Sequence, residues 1–573
     1  MDDGRTGSGS VPGAGARSGG LPRDLLAAAS RLERALADGD ERAAGAVVEP
    51  GGLAVRDGAV LVAGEEPAGG EPRGERWPRR VHVRALADEV VAVTTEAERR
   101  DGGAVVGTRV WRRGAGGAWC VALAHASAAP PPPPPEPLLD GAVWSVAPPT
   151  TGALLGGALE GPLAWVRVAV QDVVAVAGHR VGAGVPAWLA QAPLERTCAP
   201  ALQRLLDAGA DVVGVAQSGE LGAARDGRNP HYGAPANPAA PGRTTGGAGG
   251  GVAAAVASGS ADVGLGSDAD GSLRVPGAWC GLHVLRPTHG TVPVEGVLPV
   301  SPSSDAVGLL ARDGRLLHAA GRALLGGPAG APDGSEGEAA ALLRSDEPTA
   351  LLRSAQPTAL LRSAQPTALL RSDELTGLAE PATAAAVDAA LLALAVATGL
   401  PVEEVPPSAL DAEDLARWAR AARVVADAEL WHGHGRFLLD HPGALGPEVE
   451  RRLRAGGAVG PDEVARARAD LDTARARTAA LLAGGRLLCL PATAGPAPAV
   501  VPGEAAGSSG EDALLATDRL LAPAAVVGAP ALTLPWGRAG DLPVGLQVLA
   551  APGADGALLA LLDRLVPARE LPV

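Results

Sequence analysis

Two glycine-rich loops near the middle of the sequence decide how the rest of it is interpreted. They read GGAGGG at 246–251 and GSDADGSLRVP at 266–276. An alanine-rich helix is predicted between them over 252–258, and the second loop contains a serine, Ser272. Glycine permits positive φ angles and close backbone approach, so clustered N–H groups in such loops can bind an anion or a developing oxyanion. A glycine-rich turn without chemistry has the same pattern, so the loops alone do not establish a function.

The composition excludes several kinds of catalysis. The chain has 573 residues, and all 49 of its basic residues are arginine. Without lysine there is no Schiff base, no lysine general base and no P-loop lysine. A GC-rich genome would explain the scarcity of residues with A/T-rich codons. The 79 glycines and 51 prolines approach the range of disordered chains, but 47% hydrophobic residues are enough to build a core.

Charge and cysteine content argue against several partners. The net charge of −15 disfavours nonspecific nucleic-acid binding. The four cysteines are far apart, so neither a zinc site nor a disulfide framework is indicated, and we expect no cofactor or metal. Residues 1–20 lack the apolar segment of a signal peptide, and there is no run of 18 apolar residues. We therefore expect a cytoplasmic protein without a membrane span.

The N-terminal part of the sequence predicts a small α+β domain over residues 21–127, preceded by a flexible tail over 1–20. The leucine spacing over 21–38 is helical. The apolar period then changes to two, which predicts four strands within 81–126. Glycine-rich segments at 100–103 and 114–117 are typical of hairpin turns between them.

Six consecutive prolines at 130–135 mark the boundary between two domains. Such a run adopts polyproline II and separates its flanks by about 3 Å per residue. We interpret 128–137 as a linker, the alternative being a solvated loop within one domain. From 138 to 573 strands and helices alternate, with strands predicted at 166–170 and 211–216 and helices at 199–208, 380–400, 409–436 and 462–483. This alternation of strands and helices predicts an α/β sandwich.

Residues 341–376 contain a nine-residue repeat, ALLRSxxPT, in four copies of which the last departs from the pattern. Nine residues are too few for the usual solenoid units, and a proline in each repeat prevents one continuous helix. We expect a surface insertion of short helical turns. A partner-binding array is the alternative.

The two loops and their surroundings resemble the amidase signature family, in which serine hydrolases cleave amide C–N bonds. The resemblance runs from about 160 to 312 and resumes near 487–563. It implies an α/β/α sandwich around a mixed sheet. The segments that carry it are VAVQD at 168–172, 229–238, the two glycine loops, WCGL at 279–282, LRPT at 285–288, 298–308, GAPALTLP at 528–535 and LPVGLQ at 542–547.

The N-terminal unit has a looser likeness of its own. A helix followed by strands that end in WCVALAHAS at 119–127 is similar to the AtzH-like, NTF2-like domain. That domain occurs as the small subunit of carboxybiuret hydrolase and in proteins of oxalurate catabolism. The likeness implies a small NTF2-like domain before the amidase domain.

The resemblance implies a nucleophile but not the family's complete proton path. In the family a neutral lysine takes the proton of the nucleophilic serine through a second serine, which is held in a cis peptide. The nucleophile position is Ser272, the lysine position is Gln171 and the bridging-serine position is Ala248. An amide is not a usable base at neutral pH, and alanine has no hydroxyl to relay a proton.

The family's oxyanion site maps onto Ala269, Asp270, Gly271 and Gly247. The family has glycine or alanine at position 270, so Asp270 would place a carboxylate beside a developing negative charge. At ~5 Å and an effective dielectric of ~20 this repulsion is about 3 kcal/mol, which would slow turnover about a hundredfold.

Other polar residues near the loops are candidates either for a structural role or for a base that replaces the lysine. The resemblance implies that Arg274 anchors the loop by ion pairing and that Asp268 accepts backbone N–H bonds. His283 is the best candidate for a replacement base, against the alternative of a packed histidine. For His179 and His289 we expect structural roles.

Two functions follow from these residues. The first is a pseudo-amidase that binds a small linear amide or ureide, or acts in regulation, with impaired catalysis. The second is an active amidase in which Ser272 is the nucleophile and an unorthodox group is the base. For either, we expect a small-molecule ligand, no nucleic acid or membrane partner, and a homodimer as the assembly to consider.

Overall fold

The computed structural model describes residues 140–149, 153–159, 161–326, 365–500 and 511–565, together with six strands between residues 48 and 129. The predicted tail, helix 21–38 and the linker residues 130–137 lie outside the described residues.

The first sheet has six strands in the order β2-β1-β6-β5-β4-β3. Strands β3 to β6 contain the four strands predicted from the period-two pattern, and each pairs antiparallel with the next along the chain. Strand β1 pairs parallel with β6 and antiparallel with β2, and neither β1 nor β2 was predicted. The strands are β1 Val48–Arg56, β2 Ala59–Val62, β3 Trp77–Ala87, β4 Val90–Glu98, β5 Ala104–Arg113 and β6 Trp119–Ala129.

The second sheet is mixed and has eleven strands, in the order β14-β13-β15-β17-β16-β11-β12-β10-β8-β9-β7. Every residue of its central strands β10 and β12 is buried, as expected for strands covered on both faces. The strands are β7 Trp144–Val146, β8 Arg167–Gln171, β9 Asp211–Ala216, β10 Val263–Ser267, β11 His283–Arg286, β12 Val307–Ala311, β13 Ala368–Arg371, β14 Val402–Glu404, β15 Arg486–Pro491, β16 Ala531–Ala539 and β17 Leu542–Leu549.

Helices accompany this sheet, which confirms the predicted α/β architecture. Several begin with proline in the first turn, where the missing N–H has no helical partner in any case. The helices are α1 Pro186–Gln191, α2 Pro200–Asp207, α3 Gly250–Ala257, α4 Arg274–Trp279, α5 Gly314–Leu324, α6 Asp373–Thr376, α7 Pro381–Thr398, α8 Ala412–Asp440, α9 Pro447–Ala458, α10 Pro461–Leu482, α11 Glu511–Val527 and α12 Asp555–Leu565, with 3₁₀ turns at Glu220–Gly222 and Ala483–Gly485.

The last copy of the nine-residue repeat is not a surface insertion. Its start, Ala368, opens strand β13, which pairs parallel with β15 and β14 inside the large sheet. Ala368, Leu369 and Leu370 are buried because the apolar start of the repeat fits a covered strand. The departing end, Asp373–Thr376, forms the short helix α6. Residues 341–364, which hold most of the other copies, lie outside the described residues.

Helix α7 is the one helix among the described residues that is long and apolar enough to cross a membrane by length and composition. Core helices have the same properties, and Val387, Ala390 and Leu394 of α7 are buried in the main hydrophobic core.

The topology brings the predicted site residues to one edge of the sheet. Strands β8 and β10 are neighbours and run parallel, so their carboxyl ends meet at the same edge. Gln171 ends β8, and Ser267 ends β10 just before the nucleophile loop. Ligands of α/β sheets commonly bind at the carboxyl ends of strands.

Candidate active site

The nucleophile loop is folded around the buried carboxylate of Asp268. Its Oδ1 accepts the N–H of Gly271 at 2.9 Å, and its Oδ2 accepts the N–H of Arg274 at 3.1 Å. The guanidinium of Arg274 donates to both oxygens, and Arg286 Nε lies 3.6 Å from Oδ1. Burial raises the pKa of Asp268, but the charges of Arg274 and Arg286 and the N–H bonds lower it by more, so the carboxylate is ionised. The predicted roles of Asp268 and Arg274 are thereby confirmed.

Gly271 is required by both its conformation and its surroundings. Its φ is +105°, which side-chain-bearing residues rarely adopt. A Cβ at this position would lie 2.5 Å from Leu521 Cδ1 of helix α11. Helix α11 therefore packs directly over the backbone that precedes the nucleophile.

Ser272 lies at the start of the turn that leads into helix α4 and is 5% exposed. Its hydroxyl donates to Oδ1 of Asp270 over 3.2 Å. The carboxylate that was expected to disturb the oxyanion site thus points toward Ser272 and accepts a hydrogen bond from its hydroxyl.

Asp270 is held from its other side by helix α9. Arg452 Nη2 donates to Asp270 Oδ2 over 3.2 Å, and Arg452 Nε donates to Asp427 Oδ1 of helix α8 over 2.6 Å. Burial raises the pKa of Asp270, but the charges of Arg452 and two further arginines, with the hydrogen bond from Ser272, lower it well below the usual range. Asp270 is therefore an anion at any physiological pH.

The two further arginines are Arg225 and Arg423, which share the carboxylate of Asp518 on helix α11. Arg225 Nη1 donates to Asp518 Oδ2 at 2.9 Å, and Arg423 Nη2 donates to the same oxygen at 2.8 Å. Burial, reinforced by the like charges of Arg423 and Arg452, lowers the pKa of Arg225 to about 9. Sequence reasoning missed this group because its members come from distant segments and no motif links them.

Gln171 is hydrogen-bonded at both ends of its amide, at the position where the family places its lysine. Its Oε1 accepts the N–H of Ser267 at 3.0 Å, and its Nε2 donates to Oγ of Ser218 at 2.9 Å. The side chain is 1% exposed. A Cβ on Gly266 would lie 2.4 Å from Oε1, so glycine at 266 leaves room for the amide. The amide spans β8 and the end of β10 and supplies no basic lone pair.

Ala248 lies in the first glycine loop, and the peptide bond between Gly247 and Ala248 is cis. The side chain is buried, and the residue's carbonyl accepts the N–H of Gly219 at 2.9 Å. The next residue ties the two loops together, since Gly249 N–H donates to the carbonyl of Ser272 at 3.0 Å. No hydroxyl stands at position 248 to relay a proton.

Two of the expected oxyanion donors are already engaged. The Gly271 N–H donates to Asp268, and the Gly247 N–H donates to the carbonyl of Arg225 at 3.1 Å. Each of these two N–H groups satisfies a nearby acceptor within the fold, and the oxyanion role expected of the two residues stays a prediction. Ala269 is buried beside the loop, and Asp270 adds a carboxylate acceptor to the backbone N–H at its position.

A model of the family described as Amidase matches residues 147–559. The chain belongs to the amidase family. Amidase 1 of Oryza sativa subsp. japonica is 42% identical over 153 residues, which are 26% of this chain and 35% of that protein. The chain spans about a third of the length of the curated relatives it matches first.

Solved structures of the amidase family share the fold. The crystal structure of an amidase superposes with a TM-score of 0.57 at 29% identity, covering 71% of this chain and 85% of that one. A vestigial protein complex that bears on the origins of an s-triazine catabolic enzyme gives 0.58 at 28% identity, again over 71% and 85%.

In this amidase-family chain, His283 lies at the end of its strand away from the nucleophile loop. His283 of β11 pairs with Ala311 of β12, and Ala311 pairs in turn with Val263, the first residue of β10. His283 is therefore level with the start of β10, whereas Ser267 is the last residue of β10. At about 3.3 Å per residue these ends are roughly 13 Å apart. This position at the opposite end of the strands argues against His283 as the base. His289 Nδ1 is bonded to the carbonyl of Asp305 at 2.8 Å, which fits the structural role expected for it.

Two cavities of the amidase domain meet at Asp270. The smaller lies beside Gly247, Gly271 and Trp279. The larger lies among helices α8, α10 and α11 and has a volume of about 60 Å³. Among the residues that the structure describes, no three His, Cys, Asp or Glu side chains are grouped to hold a metal ion.

Proposed function

We propose that this amidase-family chain is a pseudo-amidase that binds a small linear amide or ureide and does not hydrolyse it at the rate of its family. The observation that carries the proposal is the state of Gln171. Its amide is bonded on both sides, to Ser267 and Ser218, at the position where the family places its base. Ala248 offers no relay. Loss of an entire proton path costs other serine hydrolases about 10⁴ to 10⁶ in rate.

A second candidate is supported by the hydrogen bond from Ser272 to Asp270. In an active enzyme Asp270 would take the proton as Ser272 Oγ bonds to the amide carbon. The C–N bond would then break, the leaving amine would receive that proton, and water would release the acyl group. This candidate ranks second because Arg452 and its neighbours hold the pKa of Asp270 so low that the carboxylate is a weak base.

Ammonia release from a panel of amides and ureides distinguishes the two candidates. Three proteins are compared: wild type, Ser272→Ala, and Gln171→Lys/Ala248→Ser/Asp270→Gly. The pseudo-amidase requires equal background rates in the first two, a higher rate in the third, and a panel member that raises the Tm of wild type. Wild-type turnover that Ser272→Ala abolishes would instead establish the second candidate.

The setting of the domain belongs to the same proposal. We infer an AtzH-like, NTF2-like unit over 21–127 and a linker over 128–137, whose first two residues continue strand β6. We also infer a cytoplasmic location and a homodimer, with no nucleic-acid or membrane partner. Sedimentation velocity of the full chain tests the assembly, because a homodimer has twice the 56.7 kDa of the chain.

A further inference from the structure

The cavity among helices α8, α10 and α11 is lined by side chains of opposite charge, carboxylates and arginines. Asp270, whose Oδ1 accepts the hydroxyl of Ser272, lines it and also lines the smaller cavity at the glycine loops. Arg423 and Arg475 line it from α8 and α10. Between these groups the wall is made of small apolar side chains, Ala422 and Ala525 among them.

The charged groups on the wall are already paired. Three arginines, Arg423, Arg452 and Arg475, face two carboxylates, Asp270 and Asp518. Each carboxylate is already bound to arginine: Asp270 to Arg452, and Asp518 to both Arg423 and Arg225. Arg452 and Arg475 also pair with Asp427 and Asp472, so an anion in the cavity would be held by the N–H groups that these pairs leave unused.

Two of the arginines retain free N–H groups. Arg423 uses only Nη2, on Asp518, and its side chain is 35% exposed. Arg475 uses Nε on the carbonyl of Val526 and Nη1 on Asp472. Neither Nη1 of Arg423 nor Nη2 of Arg475 has a partner among the described residues. Guanidinium groups with unpaired N–H donors are the usual protein ligands of carboxylates.

The electrostatic environment of Arg423 agrees with this geometry. Burial and the positive charge of Arg452 lower the pKa of Arg423. A nearby anion would relieve both penalties, since it supplies a counter-charge within the low-dielectric cavity.

We propose that this cavity binds a linear amide that carries a carboxylate at its other end. The carboxylate would lie at Arg423 and Arg475, and the amide N–H groups would donate to Asp270 near Ser272. The short aliphatic chain between them would pack against the alanines of α8 and α11. The inference rests on the proposed function and names the ligand class of the same site.

The test compares glutaramate, the monoamide of glutaric acid, with glutaramide, its neutral diamide, by calorimetric titration of the full chain. We expect glutaramate to bind at least tenfold more tightly. Arg423→Gln should remove that preference, because it weakens the binding of glutaramate at least tenfold more than the binding of glutaramide. The control is Arg436→Gln, because Arg436 is exposed on α8 and pairs only with Asp440. If Arg423→Gln unfolds, Arg475→Gln serves in its place.

The outcomes separate this inference from the proposed function. Equal binding of the two compounds, or an equal loss of both in Arg423→Gln, would overturn the carboxylate site while leaving amide binding in place. Binding of neither glutaramate nor glutaramide, together with no Tm response to the wider amide panel, would overturn both.

Discussion

The hydroxyl of Ser272 donates to Oδ1 of Asp270 over 3.2 Å, and the other carboxylate oxygen of Asp270 accepts from Arg452. The nucleophile of the amidase family is thus kept, but its proton is directed to an anion that a buried arginine stabilises. Catalysis by a base requires a pKa near the working pH. Under the proposed function, this arrangement orients the serine without activating it.

Replacing Gln171 with alanine should cost stability rather than activity. The buried N–H of Ser267 would lose its acceptor and Ser218 its donor, which we expect to lower the free energy of unfolding by about 2 to 3 kcal/mol. Gln203→Ala is the matched control, because Gln203 is exposed and bonds only Asp207. It should change the free energy by less than about 0.5 kcal/mol. Urea unfolding measures both, and equal effects would contradict the structural role of Gln171.

The placement of Arg452 depends on close packing of helix α9 against α8. A Cβ on Gly456 would lie 2.0 Å from the carbonyl oxygen of Asp427, so Gly456→Ala must push the helices apart. We expect a loss of at least about 2 kcal/mol. Gly433 lies within α8, and a Cβ there would have no neighbouring atom within 4 Å, so Gly433→Ala should stabilise by about 0.5 to 1 kcal/mol. Thermal unfolding of the two variants should show a lower Tm for Gly456→Ala and a higher Tm for Gly433→Ala. An unchanged Tm in Gly456→Ala would contradict the close approach of the two helices.

The sequence predicts the α/β class, the two glycine loops and two of the eleven strands of the large sheet, but not the group around Asp270. Strand β9 and helix α3 were predicted closely because their apolar patterns and flanking glycines are local signals. Arg452 has no such signal: helix α9 reads as a charged, solvated surface, and the arginine is buried only because Gly456 admits α8. The same reasoning explains the last repeat copy, whose burial depends on β15, more than 100 residues later in the chain.

The stability of the protein should fall between pH 4 and pH 7 because of Asp172. Burial raises the pKa of this residue to about 6, despite bonds from the N–H groups of Gly182 and Gly184. Because the pKa of Asp172 is higher in the folded than in the unfolded state, its contribution to stability is complete below about pH 4. That contribution is lost as the pH rises through 6. From pH 4.5 to 7 this amounts to about 2 kcal/mol. In urea unfolding at these two pH values, the free energy of unfolding of Asp172→Asn should change by about 2 kcal/mol less than that of wild type.

A matched control keeps the pH test specific. Asp440→Asn removes an exposed carboxylate that pairs with Arg436, and it should leave the pH dependence as in wild type. If Asp172→Asn retains the full loss of stability between pH 4.5 and 7, another buried carboxylate is responsible. Asp305 is the alternative, because burial raises its pKa to about 6 as well.

Restoring the family's proton path should reveal how much Asp270 itself suppresses catalysis. Gln171→Lys/Ala248→Ser supplies the base and the relay but leaves the carboxylate beside Ser272, where it holds the hydroxyl proton and repels a developing oxyanion. Adding Asp270→Gly removes that charge, and a repulsion of about 3 kcal/mol predicts a further gain of about a hundredfold in kcat. Ammonia release from one amide by both proteins measures the ratio, with Ser272→Ala in each background as the blank. A ratio near one would mean that Arg452 already neutralises Asp270, and the loss of the base and relay would then account for the whole impairment.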